Sequence, residues 1–272
     1  MQSVANQGVY DLAEAADKPI ASVLKGRRRR GRLIMAVLLL LLLGAMTAGV
    51  VLGAVEVALP ELLQALGLWP GASQPVNAGT RAIIMELRLP RVLLAVLVGA
   101  ALAIAGAVFQ ALFRNPMADP YVLGVSAGAA LGATLAFLFP LNYLPLGVGL
   151  VPLAAFAGAV LTVILVSRLA RSGGYLSLYN LLLSGIAVGA FFTALVSLLM
   201  YFSRRHLHQV VFWLMGGLSQ ANWPYVRLAL PYFMLGSAVA LIQARALNAL
   251  LLGEEAAASL GVEVERTKKW LL

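Results

Sequence analysis

The sequence predicts an all-α, polytopic transmembrane helical bundle, and three observations predict it. Apolar residues make up 61% of the 272 and charged residues only 11%, against roughly 25% charged in an average soluble domain. The apolar residues come in long blocks, without the alternating or amphipathic pattern of half-buried strands and helices. The basic residues behind the net charge of +9 sit at the block boundaries, as orientation signals do. No stripe of Lys and Arg interleaved with aromatics is present, which argues against nucleic-acid binding. Zero cysteines excludes disulfides and Cys-ligated metal within these residues.

Residues 1–26 are mixed and polar, with Asp11, Glu14 and Asp17, and lead into the basic run Arg27–Arg30 and Arg32. Residues 1–32 are expected to form a tail and 33–272 the membrane domain. The first span is predicted at 33–55. It is too long for the h-region of a signal peptide, about 7–15 residues. A second span is predicted at 91–113, because 22 uncharged residues separate Arg91 from Arg114 and about 20 cross the hydrocarbon core. Residues 120–167 carry no charge, enough for two helices, with Pro140, Asn142 and Pro145 marking the turn between them. A fifth span follows at 178–202, a short helix that need not cross at 207–218, and a sixth span at 224–244. The expectation is therefore six complete spans. With the N-terminus inside, 14 basic residues lie inside and Arg81, Arg88, Arg91, Arg204, Arg205 and Arg227 outside, the bias of the positive-inside rule.

Small residues at four-residue spacing occur at Gly124, Gly128 and Gly132, at Gly99, Ala103 and Ala107, and at Gly185 and Gly189. They predict close helix packing in lipid. Gly124–Gly128 also matches the G-x-S-x-G string of serine hydrolases. An intramembrane hydrolase using Ser126 with His206 or His208 is thus a rival reading, disfavoured because the topology sets serine and histidines about a bilayer apart. The two histidines stand at i and i+2, which point to different faces of a helix, and are read as interfacial residues instead of a metal pair. A secondary transporter would place ionisable groups inside its spans. The proposed spans hold none apart from Arg227 and, at the very edge of the second, Arg91. No G-x-x-x-x-G-K-[ST] string occurs, so ATP hydrolysis is not expected from these residues.

The strings L-R-L-P-R (Leu87–Arg91), R-N-P-M-A-D-P-Y-V-L-G-V-S-A-G (Arg114–Gly128), W-L-M-G-G (Trp213–Gly217) and L-G-E-E-A-A-A-S-L-G (Leu252–Gly261) resemble one family. It is the FecCD family, the membrane permease subunits of bacterial ABC importers for iron complexes, haem and cobalamin. The resemblance covers nearly all of the chain after the first thirty residues. It implies a homodimer in the bacterial inner membrane, with the pathway at the dimer interface. Two ATP-binding subunits would carry ATP and Mg, with no cofactor and no catalytic or metal site on this chain. A periplasmic or lipid-anchored binding protein would deliver an iron-siderophore complex or haem, or alternatively cobalamin.

By the same resemblance, Arg88 and Arg91 are expected to pair with acidic groups of the binding protein, with Arg204 and Arg205 extending that surface. Asn115, Met117 and Ser177 are expected at the cytoplasmic gate. Ser184, Met200, Phe212 and Met215 are expected to line the pathway. The coupling segment, about 246–268, is expected to meet the ATPase through Gly253, Glu254, Glu255, Ala258, Leu260 and Gly261. Its acids sit in a first helical turn, favoured by the helix dipole, and Gly261 suits the residue after a helix end. Family members have ten helices, and Lys268-Lys269-Trp270 reads as the threshold of a seventh. The last four are expected to be missing from this sequence.

Overall fold

The computed structural model describes residues 20–69, 76–139, 149–172, 175–203 and 206–272. They fall into two units, Met1–Ile84 and Met85–Leu272. The first unit holds α1 (Ile20–Val51), α2 (Leu59–Ala65) and α3 (Ala78–Ala82). Arg29–Val51 of α1 is long and apolar enough to cross a membrane, and Leu33–Leu43 expose their side chains as a lipid-facing helix does. The helix begins ahead of the basic run and ends at Val51 instead of near 55. Glu61 caps α2 by accepting from the Ala58 N–H at 2.9 Å, and Asn77 Oδ1 accepts from Gly79 N–H at the start of α3.

A π-helical stretch, Ile83–Arg88, follows α3 and leads into α4 (Leu89–Phe113). Helix thus begins at Ala78, where the sequence predicts a start near 91. The physical reason is Pro90. A proline ring clashes with the carbonyl four residues earlier and leaves it without a donor, and a locally widened π turn accommodates that defect without ending the helix.

Five helical runs are long and apolar enough to span: Arg29–Val51, Ala78–Phe113, Leu150–Leu169, Leu178–Phe202 and Trp223–Ile242. The expected third span is shorter. Pro120–Leu123 forms a 3-10 turn capped by Asp119, Gly124 takes a left-handed φ of 71°, and only then does α5 (Val125–Leu138) begin. Its 14 residues reach about 21 Å, short of a hydrocarbon core about 30 Å thick. The six complete spans expected are therefore five long ones and one short apolar helix among the described residues. Pro140, Asn142 and Pro145 lie outside the described residues.

α5 is held between α6 (Leu150–Leu169) and α7 (Leu178–Phe202) by glycines. A Cβ on Gly128 would run into Thr162 Oγ1, one on Gly132 into the Ala154 carbonyl, and one on Gly158 into the Gly128 carbonyl. On the other side, a Cβ on Gly185 would strike the Val122 carbonyl, and one on Gly124 would lie 2.9 Å from the Gly185 carbonyl. Helices in lipid associate by such close packing, since no hydrophobic force separates them from lipid tails. The buried hydroxyls satisfy themselves locally: Thr162 donates to Gly158 O at 2.6 Å and Thr134 to Ala130 O at 2.7 Å. Gly99 has nothing within 4 Å of its Cβ position, so of the three predicted small-residue rows only two make tight contacts here.

Between α6 and α7 the chain makes a two-residue antiparallel hairpin, β1 (Arg171–Ser172) and β2 (Tyr175–Leu176). After α7 come α8 (Leu207–Leu214), α9 (Trp223–Ile242), α10 (Ala244–Leu250), α11 (Glu254–Ser259) and α12 (Val264–Leu271). α9 packs along α4, and Phe156 of α6 meets Tyr232 of α9 with ring centroids 4.7 Å apart.

Gly158→Val and Gly132→Leu are expected to destabilise the folded chain by about 1–3 kcal/mol through overpacking. Gly99→Ala is expected to be neutral or to gain up to about 1 kcal/mol of helix propensity. Unfolding midpoints in detergent check this, and equal losses at all three sites would contradict the packing described.

Candidate coupling and gating site

The C-terminal end of α4 is one pole of the site. Arg114 ends the helix in the left-handed region, φ 50°, and its N–H and that of Asn115 return to the carbonyls of Ala111 and Gln110. Asn115 then builds its own turn: its Oδ1 accepts from Met117 N–H at 2.9 Å, and its carbonyl from Ala118 N–H. Gln110 Nε2 reaches over to the Pro116 carbonyl at 3.0 Å. With its backbone satisfied in this way, the turn holds Met117 out, 84% exposed.

Ser177 stands beside this turn at the base of α7. Its hydroxyl caps the helix by accepting from Asn180 N–H, and its own N–H donates to Ala170 O. Leu176, just before it, is buried with Phe109, Leu123, Val166, Ala170 and Leu181, and Phe113 and Leu178 pack on the same cluster. The ends of α4, α6 and α7 therefore share one apolar core, and the gate candidates Asn115 and Ser177 flank it.

α11 docks on the same end. Ala257 is fully buried with Leu112 of α4 and Leu250, and Leu178 of α7 packs against them. Alanine fits because any larger side chain would hold the short helix away from α4. Gly253 opens the segment at φ 115° and Gly261 closes it at φ 84°, conformations that cost most residues about 1–2 kcal/mol. Val262 N–H returns to Ala257 O and Gly261 N–H to Ala258 O, closing the helix end. The opposite face carries Leu252, Glu255, Ala258, Leu260 and Gly261 toward solvent.

Glu254, expected among the residues that meet the ATPase, has a partner within the chain. Its Oε2 accepts from the Lys268 ammonium at 2.7 Å, while the rest of the side chain stays open to solvent. Lys268 also donates to Glu265 Oε1 at 3.1 Å and to the Leu176 carbonyl at 3.3 Å, and Glu265 Oε2 accepts from Leu176 N–H at 2.9 Å. The Lys268 side chain is 3% exposed and its two carboxylate partners 41% and 40%. Charge-assisted bonds of this kind are shorter and stronger than neutral ones. Sequence reading missed this centre and took Lys268 as an orientation signal. The i, i+3 spacing of Glu265 and Lys268 was visible, but the approach of residues 176 and 254 was not.

At the N-terminal end of α4, Arg91 Nε donates to Leu218 O at 3.1 Å and Nη2 to Ser219 O at 3.2 Å. Trp223 Nε1 donates to Met85 O at 2.8 Å. These bonds tie the turn after α8 to the start of α4, and Gly216 (φ 74°) and Gly217 (φ 139°) explain the pair of glycines there. Arg91 is thus a structural bracket as well as an exposed guanidinium, and Arg88 beside it is half-buried. Arg204 and Arg205 lie outside the described residues. The expected pathway residues divide: Ser184 and Met200 of α7 are half-buried, while Phe212 and Met215 are exposed.

The hydrolase constellation does not assemble among the described residues. Ser126 follows Gly124, which packs on Gly185 and Gly189. The histidines come after the far end of α7 at Phe202, about 20 Å along the helix from Gly189. His206 instead pairs its Nδ1 with Ser203 Oγ at 3.2 Å. No group of three or more His, Cys, Asp or Glu that could hold a metal occurs among the described residues.

Comparison with known proteins bears on this geometry. Residues 37–272 match the FecCD transport family. The cobalamin import system permease protein BtuC of Halobacterium salinarum is 47% identical over 192 residues, 71% of this chain and 51% of that protein. The hemin transport system permease protein HmuU of Yersinia pestis is 43% identical over 192 residues, 70% of this chain and 58% of that one. The chain thus spans little more than half the length of these two relatives. Among solved structures, an ABC transporter assigned to the metal-chelate type, in an inward-facing conformation, superposes with a TM-score of 0.73 at 32% identity. The match covers 88% of this chain and 70% of that one.

Arg91→Met is expected to loosen the turn at 216–222 without unfolding the bundle. Lost bonds to two carbonyls correspond to about 1 kcal/mol or slightly more at an exposed site, so hydrogen exchange there should rise about tenfold. Unchanged exchange would show that the bracket carries no weight.

Proposed function

Because the chain belongs to the FecCD transport family, a family of membrane-embedded ABC permeases, we propose that it forms the membrane pathway of an ATP-driven importer for a bulky metal chelate. The observation that carries this reading is the exposed face of α11, Leu252 to Gly261, seated through Ala257 on the ends of α4 and α7. A short helix with a small, partly apolar outer face suits insertion into a partner's cleft. Its inner face rests where Asn115 and Ser177 close the bundle. Displacing such a helix shifts the populations of closed and open arrangements only if the partner binds the two differently. ATP-binding and hydrolysis by that partner supply the difference.

In this reading the α11 end is cytoplasmic, in keeping with the positive-inside bias, and the Arg88–Arg91 end faces the substrate-binding protein. Arg88, with the donors that Arg91 has left after bracketing the turn, supplies the positive groups for acidic residues of that protein. Arg204 and Arg205 extend the same surface. The mostly apolar α7 flank, with Ser184 and Met200, and the exposed Phe212 and Met215 face a second copy of the chain across the pathway. Such a wall lets a large chelate pass without gripping it. An iron complex (siderophore or haem) and cobalamin both fit. The relative named for cobalamin import favours the latter and the relative named for hemin transport the former.

Leu260→Asp tests the docking face without touching the Glu254–Lys268 bond. A charge buried unpaired at an interface weakens binding by about tenfold or more. The variant is expected to lose a co-expressed ATP-binding subunit on purification while its own unfolding midpoint stays unchanged. Full retention of that subunit would move the contact away from α11.

A further inference from the structure

We propose that Lys268 is a positioning residue that makes α11 and the base of α7 move as one body. The inference rests on the reading of α11 as the surface that meets an ATP-driven partner. An ammonium has three N–H donors, and here each goes to a different segment: Glu254 on α11, Glu265 on α12, and the Leu176 carbonyl on β2. Glu265 completes the grip by accepting from the Leu176 N–H. Both backbone groups of Leu176 are therefore held by α12, and α12 is held to α11 by the same lysine. Leu176 directly precedes Ser177, the N-cap of α7.

Stability alone does not account for a charge buried here. The two carboxylates are about two-fifths exposed and remain hydrated without a partner, whereas the lysine is almost wholly enclosed. Burying an ammonium costs several kcal-scale interactions with water that a pair does not always recover, and such groups are best attested where they fix register. Register is what the apolar contacts at this end leave open. Ala257, Leu112 and Leu178 pack without direction, so α11 could slide over α7 under load. The three directed bonds from one buried atom prevent that slip. A push on α11 is then delivered to the first turn of α7 instead of being absorbed at the contact.

The test uses the full assembly with its ATP-binding subunit in nanodiscs. The chain has no cysteine, so Tyr179→Cys, on an exposed position in the first turn of α7, serves as the reporter. Its alkylation rate is measured with and without vanadate-trapped nucleotide. With Lys268 present, trapping is expected to change the rate. Lys268→Met is expected to retain hydrolysis but to shrink that change by about five- to a hundredfold, and Lys268→Arg to restore part of it. A nucleotide effect that is the same in Lys268→Met as with Lys268, or one absent even with Lys268 while ATP is hydrolysed, overturns the inference and leaves the importer reading intact. Should Lys268→Met not assemble, Glu265→Gln, which weakens the grip on Leu176, is judged by the same criterion. Absence of any bound ATP-binding subunit in the reference protein overturns the importer reading itself, and this inference with it.

Discussion

Backbone-to-backbone approach at glycine is the constraint on which the second unit depends. In lipid, apolar side chains gain nothing by leaving the bilayer for each other, so helices must be joined by dispersion contacts at close range. Gly128, Gly132 and Gly158 let α5 and α6 touch along their main chains, and Gly124 and Gly185 do the same for the 3-10 turn and α7. That turn is irregular backbone, tolerated at membrane depth only where protein surrounds it. The tightness of the glycine contacts provides that shelter. It also explains why α5 can be too short to cross and still be part of the bundle.

With the helices fixed there, the two ends of α4 take different characters. At Leu89 the end is fastened by side chains reaching main-chain carbonyls, with Arg91 on Leu218 and Ser219 and Trp223 on Met85. At Phe113 it is a shared apolar core into which α11 drops a single alanine, crossed by the polar bracket around Lys268. The first arrangement holds a turn in place. The second joins a helix of only six residues to the ends of two long helices.

The sequence was most legible where hydropathy decides. The fifth span was expected at 178–202 and α7 occupies Leu178–Phe202. The sixth, expected at 224–244, runs Trp223–Ile242. It was less legible where proline and glycine chemistry intervenes. The second span was expected from 91, but helix runs back through Pro90 by way of a π turn, and the uncharged run from 120 hides a 3-10 turn and a left-handed Gly124. The gate candidates Asn115, Met117 and Ser177 came from the resemblance; Asn115 and Met117 lie exposed on the turn after α4, and Ser177 caps α7 next to the buried Leu176. Glu254 was visible as an acid in a first turn, but its pairing with Lys268 was not.

Sequence alone determined the class of molecule and the positions of its fifth and sixth predicted spans, because about twenty apolar residues are what crosses the hydrocarbon core. It also determined the family, since the strings at 87–91, 114–128, 213–217 and 252–261 are specific. Only the tertiary structure decided which polar groups face each other. Lys268, Glu254, Glu265 and Leu176 are brought together by the return of α12 onto the hairpin before α7, a contact spanning some ninety residues. Nothing local marks a lysine that will be buried, because a basic residue at a helix boundary looks the same whether it meets water or a pair of carboxylates.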